Sequence, residues 1–167
     1  MTFNVEEFKE IADKIPNFKS LPNEGRYRTA IGRYYYYTFL KIRDIILEVD
    51  EREEIRDYFK TGKSHHLVRV YLSKLGDILN LDILKEISSD LYNLHRIRKL
   101  ADYNTDRTVK YIKVKIARKL SYNIIKTLNT LEYNGVIGFE NILKHLKKIG
   151  EEEGDEYKYF PRINQLG

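Results

Sequence analysis

The side chains with the most chemistry to offer lie in Leu91–Asn104, LYNLHRIRKLADYN. Leu84, Ile87, Leu91 and Leu94 recur at helical spacing, and the next position on that apolar stripe is Arg98. A guanidinium stays charged, so on a core-facing stripe it needs a partner or a ligand. Asp102 stands one turn further on and supplies a partner. Two readings follow. One is a structural Arg–Asp pair at the end of a core helix. The other is a cationic site for an anion, most simply a phosphate. His95 is one turn before Arg98. Its imidazole suits acid or base work in phosphodiester cleavage, and it suits a solvated polar face equally well.

Basic residues surround this motif. Arg96, Lys99, Arg107 and Lys110, then Lys113, Lys115, Arg118, Lys119 and Lys126, face only Asp102 and Asp106 between His95 and Lys126. The whole chain of 167 residues carries a net charge of +5. This favours a polyanionic partner without requiring one, because a solvated helix face reads the same way. The absence of cysteine excludes disulfides, thiolate nucleophiles and cysteine zinc sites. His65 and His66 are adjacent, so on a helix they point about a hundred degrees apart and make poor joint metal ligands. Gly62-Lys63-Ser64 lacks the earlier glycine of a phosphate-binding loop, and no strand precedes it. The sequence therefore names no metal site and no cofactor. It holds no apolar run long enough to span a bilayer. The acidic, amphipathic start does not read as a secretory or transit peptide, so the expected location is cytoplasmic, away from membranes.

The elements that must position these groups read almost entirely as helix. Helices are expected at about Val5–Ile15, Arg26–Val49, within Asp50–Lys60, at His65–Leu75 with Gly76 as C-cap, from Asp82 to Tyr103, at Arg107–Leu131, and at Phe139–Ile149. Val109, Ile112, Ile116, Leu120, Ile124 and Leu128 form the clearest apolar stripe. The run Tyr34–Tyr37 must spread around the whole helix, so that helix is expected to be buried on most sides or to pair with another chain. Core packing and a stacking platform for bases are its two readings. The fold class is all-α, an antiparallel up-down bundle. A single domain is expected over 1–149, with a C-terminal tail over 150–167 that is free or docked by its aromatics.

The order of these pieces resembles the HEPN family (higher eukaryotes and prokaryotes nucleotide-binding domains). The likeness rests on the tyrosine-rich Ala30–Tyr37, then Ser64-His65-His66, then Arg98-Lys99-Leu100-Ala101-Asp102-Tyr103, and covers about Gly25–Leu131. It is nearest to the prokaryotic branch with an Arg-x-x-Ala-Asp-Tyr ending on the third core helix. The resemblance implies a homodimer with the motif helices facing each other, and an RNA-directed role in a toxin–antitoxin or antiviral system. It also implies a small nucleotidyltransferase as partner protein and, in many members, metal-independent ribonuclease activity. Those nucleases place a His after four to six intervening residues, five to seven positions beyond the Arg. Here Tyr103, Asn104 and Thr105 occupy those places. Two outcomes stay open. In one, RNA is cleaved, with Arg98 on the phosphate and Tyr103 or His95 moving the proton beside Asp102. In the other, a non-catalytic module binds a nucleotide or a protein.

Overall fold

Apolar residues at three- and four-residue spacing become seven helices in the computed structural model, which describes residues 3–167. They are α1 (Glu6–Lys14), α2 (Asn23–Val49), α3 (Glu53–Phe59), α4 (Ser64–Leu79), α5 (Asp82–Tyr103), α6 (Tyr111–Thr130) and α7 (Phe139–Glu152). The protein is an all-α helical bundle. The only strands among the described residues are β1 (Glu132–Tyr133) and β2 (Val136–Ile137), an antiparallel hairpin. The sequence itself predicts only a helix break at Asn134-Gly135. Asn134 and Gly135, both at positive φ (49° and 79°), make the two-residue turn whose twist suits paired strands.

Contacts divide the chain into two compact units. The first consists of Met1–Lys41 and Asp90–Ile125. Its core takes Ala30, Ile31, Tyr34, Tyr35 and Tyr37 from α2, Leu91, Leu94 and Ala101 from α5, and Val114, Ala117 and Ile124 from α6. Three of the four consecutive tyrosines are thus buried by the chain itself, and Tyr36 is half-buried. Thr38 and Ser121 hydrogen-bond to each other at 2.7 Å in this core. The Tyr34 hydroxyl donates to Asp13 at 2.6 Å.

The second unit consists of Ile42–Ser89 and Lys126–Gly167. Asp50 is fully buried there. Arg52 donates from Nε and Nη2 to its two oxygens at 2.8 and 2.6 Å, and the Tyr71 hydroxyl donates at 2.9 Å. Both carboxylate oxygens are therefore satisfied, as a buried charge requires. The segment after α7 docks by its aromatics. Phe160 is buried, and the Arg52 guanidinium lies 5.0 Å from the Tyr157 ring and 6.0 Å from that of Phe160.

Three local expectations are corrected. Helix α4 does not stop at Gly76; it runs to Leu79 and ends on Asn80 at φ 53°. Leu81 N–H returns to the Gly76 carbonyl at 2.9 Å, and a Cβ on Gly76 would meet Leu81 O at 2.9 Å. The glycine admits the returning chain rather than capping the helix. Helix α6 begins at Tyr111, not Arg107, because side chains of α2 hold the preceding residues in a loop. The expected α6 stripe is also split. Ile124 and Leu128 are buried, whereas Ile112 and Ile116 are 55% and 38% exposed.

Candidate nucleic-acid interface

Helix α5 delivers Arg98, Asp102 and Tyr103 on its last two turns, within the first unit. Arg98 is buried, at 9% exposure. Its Nε lies 2.6 Å from Asp102 Oδ2, but the N–H does not point at that oxygen. The contact is an ion pair without a hydrogen bond. Nη2 donates to the Tyr36 hydroxyl at 2.9 Å and reaches the Tyr103 hydroxyl at 3.5 Å. The guanidinium carbon is 5.9, 5.0 and 5.4 Å from the ring centres of Tyr35, Tyr36 and Tyr103. Burial works against the charged guanidinium, and the neighbouring Tyr36 and Asp102 more than offset it, holding its pKa above the ordinary value.

The structural reading of the Arg98–Asp102 pair is therefore realised, and tyrosines complete it. Tyr35 and Tyr36 come from α2, and nothing in the spacing of α5 announces them. Tyr103 is 68% exposed, with its ring against Arg98. His95 packs flat on Tyr35, ring centres 4.8 Å apart and planes 13° from parallel. It is half-buried.

Arg107 and Lys110 lie in the loop between α5 and α6, and both are exposed. Arg28 of α2 orders this loop. Its Nη1 donates to the carbonyls of Ala101 and Asn104 at 2.7 and 3.2 Å, and Nη2 donates to that of Arg107 at 2.7 Å. Glu24, one turn earlier, accepts from Arg28 and from the Val109 N–H at 3.1 Å. Those hydrogen bonds, the one from Arg28 foremost, hold the Glu24 carboxyl below the ordinary glutamate range. This clamp is the reason that α6 starts late. The Glu24–Arg28 spacing was its one sequence signal. Lys99 is exposed on α5. Arg96 is exposed too, but it lines a separate groove with Lys113.

A cleft of about 680 Å³ that sequence reasoning did not single out lies along α6 in the same unit. Tyr111, Lys115, Arg118, Lys119 and Tyr122 line it, at helical spacing that a helical wheel would have revealed. Its one acid, Asp13, accepts from the Tyr34 and Tyr122 hydroxyls and stands 3.5 Å from Arg118 Nε.

The chain is 40% identical over 158 residues to the uncharacterized protein MJ0992 of Methanocaldococcus jannaschii, covering 87% of this chain and 89% of that protein. The chain belongs to the MJ0992 family. The uncharacterized protein MJ0628 of the same organism is 27% identical over 161 residues, covering 88% of this chain and 93% of its own. No family model and no solved structure matches the chain. The match to MJ0992 spans most of both chains, so the family shares the greater part of the sequence and not a single motif. Neither relative's name states an activity.

Proposed function

We propose that this member of the MJ0992 family is an RNA-directed protein of HEPN type that binds single-stranded RNA at the end of α5. One observation carries the reading: Tyr103 presents an exposed aromatic ring, backed by the buried cation Arg98. An exposed ring fixed in place is a platform on which an unpaired base stacks. Exposed Lys99, Arg107 and Lys110 flank it in sequence and supply charge for the phosphates. Within this reading Arg98 is chiefly a positioning residue. Cleavage, where it occurs, rests on side chains: Arg98 on the developing phosphate charge and Tyr103 or His95 on the proton. The usual His is absent and His95 is packed on Tyr35, so slow cleavage that survives chelator, or binding alone, is expected. The resemblance to HEPN proteins adds a homodimer, a nucleotidyltransferase partner and a toxin–antitoxin or defence setting to the proposal.

The test is fluorescence anisotropy with a labelled single-stranded RNA, alongside incubation of that RNA in excess chelator. Tyr103→Ala is expected to weaken binding roughly tenfold or more, the scale of one lost stacking contact, and Tyr103→Phe to retain it. Fast cleavage abolished by chelator would overturn the mechanism. A second reading, a non-catalytic nucleotide-binding module, is favoured by the α6 cleft, which Lys115 and Lys119 line together with Tyr111 and Tyr122. Under that reading a mononucleotide binds, and Lys119→Glu, not Tyr103→Ala, abolishes the effect.

A further inference from the structure

Helix α6 has two apolar faces, and the first unit covers only one. Val114, Ala117 and Ile124 are buried. Ile112, Ile116 and Leu120, at four-residue spacing, form the other face, with Ile112 and Ile116 exposed. Ile116 and Leu120 join Ile97 and Leu100 of α5 in a groove of about 440 Å³, rimmed by the cations Arg96 and Lys113. A second apolar patch lies on α1 and the chain that follows it. Ile11, Phe18 and Leu21 are 43%, 61% and 45% exposed there. They share a depression of about 380 Å³ with Ile15, Glu7, Glu10 and Lys14, and Lys14 Nζ lies 3.3 Å from Glu10 Oε2. Exposed apolar surface of this kind, edged by charge, marks an interaction site.

The two patches match in apolar character and oppose in net charge, two acids with one lysine on α1 against two cations in the groove. The groove does not pair well with itself, because set against its own copy it would bring Arg96 and Lys113 onto Arg96 and Lys113. In a two-fold dimer, however, any contact between patch i and patch j recurs as j with i. We infer that a second copy of this chain is the occupant: the Ile11–Phe18 patch of each protomer seats in the α5–α6 groove of the other. Glu7 and Glu10 then face Arg96 and Lys113 twice over. This rests on the homodimer expectation of the proposed function alone, not on RNA binding, and it sets α1 against the α5–α6 groove in place of the facing motif helices that the resemblance implies. It also moves Arg96 from the nucleic-acid surface to the protein interface.

Charge reversal tests it on the full chain. One variant is Arg96→Glu with Lys113→Glu; the other is Glu7→Lys with Glu10→Lys. All four positions are exposed, so each variant is expected to keep its helical circular dichroism. By light scattering at tens of micromolar, roughly where mass action reveals weak dimers, the wild type should have twice the chain mass and each variant the mass of one chain. Mixing the two variants restores both sets of opposite charges and should restore the dimer, which loss of folding cannot imitate. A dimer that both variants retain, or a mixture that stays monomeric, overturns this interface while leaving a homodimer by another surface in place. A monomeric wild type overturns both.

Discussion

At the scale of single residues, Arg98 and Tyr103 differ in what they support. Arg98 is buried, hydrogen-bonded and pressed between rings from two helices. Its truncation leaves the Tyr36 hydroxyl without that donor and removes the guanidinium from three ring faces. Arg98→Ala is therefore expected to cost about 1.5–3 kcal/mol of stability in urea unfolding, the range for a hydrogen bond to a charged group. Tyr103 is mostly exposed, and Tyr103→Ala should stay within about 0.5 kcal/mol of the wild type. Equal losses for the two would show that Tyr103 packs as a core residue. The Arg98–Asp102 pair was legible in the sequence because i, i+4 spacing fixes it locally. The tyrosine partners were not, since Tyr36 is 62 residues away and only tertiary packing brings it there.

The elements around the site are placed by a pair on another helix. Arg28 and Glu24 hold three carbonyls and one N–H of the chain around the α5–α6 loop. Arg28→Ala should thus speed amide exchange across residues 104–110, at Val109 above all, while α2 stays helical. Unchanged exchange would show that the loop holds itself. The clamp also has a pH sign. The Glu24 carboxyl is held below its ordinary value of 4.5 in the folded chain, so its contribution is present above that pH. It is lost as pH falls through the lowered value, and loop exchange should rise first in that acid window. Helix existence was readable from periodicity, and the end of α5 at Tyr103 came out as expected. The α6 start and the continuation of α4 through Gly76 were not readable. Both are set by partners outside the local window, Arg28 with Glu24 in one case and the returning Leu81 in the other.

At the scale of the molecule, buried phenols tie the fold to alkaline pH. Burial, with Glu6 next in weight, pushes Tyr37 up to about 12. Burial and then Asp13 push Tyr34 up further, and burial raises Tyr71 in the second unit. A raised phenol pKa means that the folded chain keeps protons that the unfolded chain releases above pH 10. Stability is therefore intact below that pH and falls as pH rises toward 12. Phenolate absorbance from these three tyrosines should appear together with loss of helical circular dichroism. Their titration with the helices intact would contradict the burial described. Fold class was legible because helical periodicity runs through nearly the whole chain. Which apolar face of α6 the chain covers was not, because Ile112, Ile116, Ile124 and Leu128 carry the same signal whether a neighbouring helix or another molecule buries them. The central claim, that the exposed ring at the end of α5 is an RNA platform, is tested most directly by anisotropy of a single-stranded RNA at several salt concentrations. Wild type and Tyr103→Ala are compared, with their melting temperatures as control. The account predicts salt-dependent binding that falls roughly tenfold or more in Tyr103→Ala with the melting temperature unchanged. Equal affinity of the two proteins, or no binding at low salt, would contradict it.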